Sequence, residues 1–233
     1  MKHACLFTLL ISIGTIHLFA SDTTYRKNPW HMSLAMGPNY NSVGGSMVDF
    51  DKTFNDMAHL TAQQKNTVGW FINYSVQKNI ADAFYIKSGL SFIHKQVNPQ
   101  ENTNTVYRDS MNTGYLSIPA LAGISAPLNI KKTIGFFAET GLAGNLKITD
   151  QSYHPPDRIG FETIPVVLSF QFSAGFTFGL WENASFILQY GYSADLTNAY
   201  KETRYFGAPQ MPIYVGYYKY FTNSVSLGVQ WGL

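Results

Sequence analysis

Cysteine and charge are both scarce in this 233-residue chain. Its single cysteine is Cys5, so no disulfide can form within the chain and no paired-thiol chemistry is available. Charged residues make up 13% of the sequence, about half of the typical share of about 25%. Because 16 Lys and Arg nearly balance 14 Asp and Glu, no basic stripe indicates a nucleic acid as partner.

Long hydrophobic runs are also missing after the N-terminal segment. No later stretch holds the ~18 uncharged apolar residues of a transmembrane helix. Aromatic residues nevertheless reach 15%, with 17 Phe and 15 Tyr, while the mean hydropathy is a neutral −0.07. Alternation of apolar and polar residues gives this combination, because the two kinds cancel in the average. Strands with one face toward lipid would place such an apolar surface.

The clearest alternation is PVVLSFQFSAGFTFGL at residues 165–180. Every even position from Val166 to Leu180 is apolar, and the odd positions from Ser169 to Gly179 are small or polar. A period of two indicates a β-strand with one apolar face. Soluble strands have about 5–6 residues, whereas a tilted strand that crosses a bilayer needs about 9–11. The stretch therefore predicts a membrane-spanning strand.

The N-terminus has the features of a secretory signal. Lys2 and His3 form a weakly basic start, residues 6–18 are mostly apolar, and Ala20 before Ser21 ends a plausible cleavage site. A membrane anchor is the alternative, but the apolar run is shorter than the ~20 residues that a span requires. We predict a signal peptide at residues 1–20, secretion through the inner membrane, and a single barrel domain at residues 21–233.

Seven further segments alternate in the same way. The eight predicted strands cover residues 30–40, 67–77, 83–95, 113–126, 133–149, 165–180, 184–194 and 221–233. Residues 150–163 and 195–211 are predicted to be polar connections, and residues 212–220 to extend the last strand above the membrane, with a loop as the alternative. Pro119 inside the fourth strand predicts a bulge or irregular pairing.

The connections run alternately long and short, and the number of strands is even. Outer-membrane barrels have this asymmetry, with short periplasmic turns and longer external loops. A soluble eight-stranded lipocalin is the alternative, and it would turn its apolar face inward. Here one face is nearly pure Phe, Leu, Val and Tyr, while the other is dominated by Gly, Ser, Thr and Gln. We therefore predict an all-β fold, an eight-stranded antiparallel up-and-down transmembrane β-barrel with its apolar rows toward lipid.

Two segments carry a family resemblance. The segment Tyr115-Leu116-Ser117-Ile118-Pro119-Ala120-Leu121 and the closing SVSLGVQWGL resemble the PorT-like outer-membrane β-barrel family, over about residues 28–233. Members often have an acidic residue in place of Ser117 and a Leu in place of Ala120. The resemblance implies a single barrel in the outer membrane of a Gram-negative bacterium. The founding member is tied to a secretion pathway, a role that barrel similarity alone does not transfer.

The predicted lumen holds a candidate charged pair. An eight-stranded barrel is just wide enough for its side chains to fill it, and Lys87 and Glu139 face inward in its lower half. They could form a proton or ion path, or a buried pair that leaves neither charge alone, which is the interpretation we favour. A plugged lumen predicts a structural or interaction role, and the alternative is a narrow channel or an accessory of transport or secretion.

The long connections contain aromatic residues among Asn, Thr and Arg, a composition that resembles protein-recognition surfaces. The candidates for loop-mediated binding are Tyr107, Tyr153, Tyr200, Tyr205 and Phe206. Aromatic residues of this kind serve equally well in the girdle at the membrane interface.

Catalytic chemistry has little support in the sequence. Barrels that modify lipid A need a Ser, a His and usually an acid, but Lys95 and Gln96 follow His94 in place of the Ser-Asn of such deacylases. Asp49, Asp51 and Asp56 do not have the spacing of an EF-hand loop. We predict no catalytic, cofactor-binding or metal-binding residue and no cofactor.

The expected partners follow from the predicted location at the cell surface. They are outer-membrane lipids with lipopolysaccharide outside, the barrel-assembly machinery through the C-terminal strand, and a protein or ligand at the external loops. No nucleic acid is expected, and the protein is predicted to be a monomer.

Overall fold

The computed structural model describes residues 30–49, 64–99, 111–129, 133–151, 159–181, 183–206 and 211–233. These residues form ten strands: β1 Trp30–Asp49, β2 Gln64–Asn79, β3 Phe84–Pro99, β4 Met111–Pro127, β5 Ile134–Asp150, β6 Ile159–Thr163, β7 Val166–Trp181, β8 Ala184–Asp195, β9 Tyr200–Phe206 and β10 Met211–Gly232. Within these ranges no helix is long and apolar enough to cross a membrane. The predicted signal peptide lies outside the described residues.

Eight of the strands close into an antiparallel barrel. The order is β1-β2-β3-β4-β5-β7-β8-β10, and β10 pairs back with β1. Following paired residues once around the wall leads from Ser42 to Met32 on β1, a stagger of ten residues (42 to 32). Such a stagger tilts the strands. We call the end with Trp30 and Leu233 the lower rim and the opposite end the upper rim.

The apolar rows of the strands face outward, as predicted. On β7, Val166, Phe172 and Leu180 are exposed on the outer wall, whereas Val167 and Ser169 between them are 1% and 0% exposed in the interior. Exposed apolar side chains recur on the other seven barrel strands, from Trp30 on β1 to Val229 on β10. This arrangement excludes the lipocalin alternative, in which the apolar residues would be buried inside.

Two short strands correct the sequence prediction. β6 and β9 lie in segments predicted to be polar connections, yet they pair with each other, and β9 pairs with the first half of β10. They continue β7 and β8 beyond breaks at residues 164–165 and 196–199. Alternation missed them because strands above the lipid-facing rows have no need of an apolar face. The predicted extension of the last strand is confirmed by the start of β10 at Met211.

Pairing is irregular at Pro119, as predicted, although no bulge forms. The ladder between β3 and β4 skips from the pair of Ser88 with Ala120 to the pair of Ser91 with Ser117, and the register is the same on both sides. Proline has no N–H to donate to β3. The Ser88 hydroxyl instead donates to the Pro119 carbonyl at 2.7 Å, so a side chain bridges the gap.

Candidate functional site

The lower half of the lumen contains a carboxylate whose two oxygens each accept two hydrogen bonds. Lys87 on β3 lies with its Nζ 2.9 Å from Oε1 and 3.1 Å from Oε2 of Glu139 on β5. The Tyr85 hydroxyl donates to the same carboxylate at 3.0 Å and the Ser173 hydroxyl at 2.8 Å. Both charged side chains are almost fully buried. The structure thus brings the predicted pair together, and we call these four residues the inner cluster.

A glycine on the neighbouring strand makes room for the inner cluster. Gly123 on β4 pairs with Tyr85 on β3, and a Cβ at Gly123 would overlap the Tyr85 ring. The ring occupies the space that a side chain at position 123 would fill, and its hydroxyl reaches Glu139, one strand further along the wall. Gly123 therefore sets the position of a donor to the buried carboxylate.

Replacing Gly123 with valine is expected to destabilise the folded barrel by about 1–3 kcal/mol, the usual cost of overpacking an interior. The new side chain would push the Tyr85 ring aside and break its hydrogen bond to Glu139. Urea unfolding in detergent micelles measures the change. Gly144→Val is the matched control, because a Cβ there meets nothing within 4 Å. An equal loss in both variants would contradict the assigned role of Gly123.

A second charged cluster lies at the upper rim. Asp195 at the end of β8 accepts hydrogen bonds from the Ser169 hydroxyl at 2.8 Å and from the Tyr220 backbone N–H at 2.9 Å. Lys95 on β3 approaches Asp195 at 3.4 Å, and its Nζ lies 5.3 Å from the Tyr115 ring centroid and 4.6 Å from that of Tyr220. Such contacts stabilise a desolvated cation. These five residues form the outer cluster.

Tyr200 extends the outer cluster at the start of β9. Its hydroxyl contacts that of Tyr220, and both lie within hydrogen-bond distance of the Thr113 hydroxyl, at 2.8 and 3.0 Å. Tyr200 stands above the lipid-facing rows, where the outer wall carries Lys219 and Lys201. Burial raises the pKa of the Tyr200 hydroxyl well above its usual value. The hydroxyl therefore remains neutral in this network at physiological pH.

A chamber of about 100 Å³ lies between the two clusters. Lys87 and Glu139 line its lower end, and Ser91 on its wall is midway between Lys87 and Lys95 along β3. Most of the surface that faces the chamber is apolar, with Phe71, Ile93 and Leu121 among its lining residues. Amide and hydroxyl groups are interspersed on the same wall, from Asn39, Asn73, Gln171, Ser173, Gln189, Ser193, Thr222 and Ser224. A water molecule in a cavity needs two to four polar partners. The chamber offers such partners only beside its amide and hydroxyl groups.

Asparagines order the wall between the chamber and the upper rim. Asn39 donates to the backbone carbonyls of Trp70 at 3.3 Å and His94 at 3.2 Å, next to the irregularity in β2–β3 pairing. Asn41 donates to Asn39 at 2.8 Å and accepts from the Thr222 hydroxyl at 3.1 Å. The side chains replace ladder bonds that the irregularity removes, so this part of the lumen is held by polar contacts.

Among the loop-recognition candidates, the structure describes the side chain of Tyr200. Tyr200 is 0% exposed and faces the interior with the outer cluster, so it offers no surface to a partner. Tyr205 and Phe206 lie on β9, where the structure describes only the backbone. Tyr107 and Tyr153 lie outside the described residues. The proposed recognition surface therefore loses Tyr200.

Asp195 and Lys95 are the site residues that sequence reasoning missed as a pair. Lys95 lies an even number of residues after Lys87 on the same predicted strand, so alternation turns it inward as well, whereas Asp195 falls in a segment predicted to be a polar connection. An inward lysine near the top of a narrow barrel needs a counter-charge, and this was the available signal. In the part of the chain that the structure describes, no group of three or more His, Cys, Asp or Glu side chains could hold a metal ion.

Comparison with known proteins agrees with this architecture. A family model described as an outer membrane protein beta-barrel domain matches residues 19–201, more than half of the chain. The chain belongs to this outer-membrane β-barrel family. No curated protein matches it by sequence. Family membership and the outward apolar rows together make the protein an outer-membrane β-barrel.

Solved structures similar to this outer-membrane barrel include proteins of different roles. OprG from Pseudomonas aeruginosa aligns with a TM-score of 0.55 at 10% identity, over 88% of this chain and 98% of that chain. Neisserial surface protein A aligns at 0.48 and 10% identity, over 88% and 97%. The outer membrane protease OmpT from Escherichia coli aligns at 0.41 and 9% identity, over 92% and 100%. At identities of about a tenth these likenesses concern the fold alone, and a fold does not assign a role.

Proposed function

We propose that this outer-membrane barrel has a structural or interaction role and is not a diffusion pore. The observation that carries this proposal is the filled lumen: buried side chains of the inner and outer clusters cross it at two heights. In the inner cluster Lys87 and Glu139 are held by two further donors. In the outer cluster Tyr220 and Tyr200 are completely buried. A solute would have to displace both clusters to pass.

The purified protein is expected to show no discrete openings in planar lipid bilayers at physiological salt, because both clusters block the lumen. Single-channel recording tests this directly, and a large porin reconstituted in the same lipid serves as the positive control. Reproducible openings of constant amplitude would contradict the closed barrel and favour the alternative, a narrow channel or an accessory of transport or secretion.

The interaction role is supported by the strands that rise beyond the barrel wall. β6 and β9 pair with each other and with the upper part of β10, which also pairs with β1 as far as Asp49. This sheet would lift the external loops away from the lipid headgroups. Replacing Tyr107, Tyr153, Tyr205 and Phe206 with serine should abolish co-purification of a loop-bound partner in mild detergent. Unchanged co-purification would assign the contact to another surface.

The finer assignments have separate tests. A PorT-like affiliation is supported by the segment from Tyr115 to Leu121. Co-purification with a secretion complex in mild detergent would test the secretion alternative separately. Signal cleavage and secretion through the inner membrane predict a mature N-terminus at Ser21. A lack of catalysis predicts unchanged lipid A mass spectra on deletion and on overexpression.

We also propose a monomer that contacts lipopolysaccharide and reaches the membrane through the barrel-assembly machinery by its C-terminal strand.

A further inference from the structure

We propose that the lumen is a latent passage closed by two independent seals with a small chamber between them. The inner seal is Tyr85, Lys87 and Glu139 of the inner cluster, and the outer seal is Lys95, Asp195 and Tyr220 of the outer cluster. Opening one seal would admit water and small ions to the chamber from one side only. The inference rests on the closed lumen of the proposed function and adds a device by which that lumen stays closed.

The inner seal closes the lumen because separating Lys87 from Glu139 would cost free energy. Each Glu139 oxygen accepts two hydrogen bonds, one of them from Lys87. Moving Lys87 away would leave two buried charges uncompensated. Below the pair, Phe137 and Ile187 are also buried, so apolar side chains narrow the lumen further toward the lower rim.

The outer seal has different chemistry. Lys95 is held between two aromatic rings as well as by Asp195, and the Tyr220 backbone N–H fixes the second carboxylate oxygen of Asp195. The Tyr220 ring fills the space at the upper rim, where it packs edge-to-face against Tyr115 with the ring centroids 6.4 Å apart. This seal therefore combines a charge pair with bulky rings.

The separation of the seals makes them independent. Lys87 and Lys95 are eight residues apart on β3 (95 − 87), or about 26 Å at ~3.3 Å per residue. Sites more than ~7–10 Å apart with no shared partner behave additively. The chamber lies in the interval, and its wall carries no charge besides Lys87 and Glu139. A passage with both seals removed would accordingly discriminate weakly between cations and anions.

Thiol access to the chamber tests the two seals one at a time. Ser193 lines the chamber, so Ser193→Cys in a Cys5→Ser background provides one reporter thiol. A small membrane-impermeant cationic methanethiosulfonate is applied from either side of vesicles whose barrel orientation is established by protease cleavage. The inner-seal variant is Tyr85→Ala/Lys87→Ala/Glu139→Ala, and the outer-seal variant is Lys95→Ala/Asp195→Ala/Tyr220→Ala.

With both seals intact, the thiol should be protected from both sides. The inner-seal variant should react at least ten-fold faster from the lower-rim side only, and the outer-seal variant from the upper-rim side only. Lys147→Ala/Asp150→Ala removes a partly exposed ion pair outside both seals and should leave the thiol protected. Rapid labelling with both seals intact, or labelling of one variant from both sides, would overturn the proposal.

Conductance then tests the seals in series. Each single-seal variant should remain silent in planar bilayers, and the variant that lacks both should open with weak ion selectivity. Openings in a single-seal variant, or silence in a folded double-seal variant, would overturn the two-seal model. Openings in the wild type would instead refute the closed barrel. If a triple replacement fails to refold, Lys87→Ala/Glu139→Ala or Lys95→Ala/Asp195→Ala is tested with the same criteria.

Discussion

Replacing Glu139 with alanine is expected to destabilise the barrel by about 3–5 kcal/mol, the cost of leaving one partner of a buried ion pair alone. Lys87 would retain its charge in a site that is almost closed to water. The Tyr85 and Ser173 hydroxyls would lose their acceptor at the same time. Because these three groups depend on one carboxylate, its loss affects the whole inner cluster.

Equilibrium urea unfolding of the refolded protein in micelles measures this loss. Replacing both charges, as in Lys87→Met/Glu139→Leu, should restore most of the stability, since apolar side chains of similar volume often replace a buried pair without cost. Asp150→Ala is the matched control, because its partly exposed pair with Lys147 is expected to contribute at most about 1 kcal/mol. A loss from Glu139→Ala no larger than that of the control would mean that water reaches the inner cluster.

Much of this architecture could be predicted from alternation alone. The period of two assigned Phe172 to the outer wall and Ser173 to the lumen. The even number of segments predicted a barrel in which the first strand begins and the last strand ends at the same rim. The same parity placed Lys87 and Glu139 inward. Their heights agreed because both lie a few residues after the start of upward strands. A pair near the lower rim is therefore visible in the sequence.

The outer cluster could not be predicted in the same way. Lys95 on β3 and Asp195 on β8 lie four strands apart in the wall, whereas only β4 separates the two strands of the inner pair. The common height of Lys95 and Asp195 therefore depends on the ten-residue stagger of the wall. No local pattern states that stagger, because it is the sum of the pairings around the whole barrel. The inward position of Tyr200 could not be predicted for a related reason. The break at residues 196–199 begins a new strand, and the inward direction of its first residue depends on the pairing with β10.

The orientation of the apolar rows can be tested by comparing the stability cost of an arginine placed at two heights on the outer wall. Phe172→Arg is expected to destabilise the barrel by about 2–4 kcal/mol in lipid bilayers, the cost of a cation on the lipid face near the bilayer midplane. Phe172 is 41% exposed on the outer wall and stands near the middle of the apolar row on β7. Urea unfolding in phospholipid vesicles measures the effect.

Leu180→Arg on the same row provides the matched control. Leu180 is 48% exposed, so the two positions differ little in exposure, but it lies at the lower rim beside Trp181, where the cost falls to about 0–1 kcal/mol. The two variants then differ mainly in the height of the arginine on β7, and this height affects stability only when the wall faces a bilayer. A wall that faced water would tolerate arginine equally at both positions, because neither side chain is needed inside the lumen. Equal stability of the two variants would therefore refute the membrane-spanning assignment.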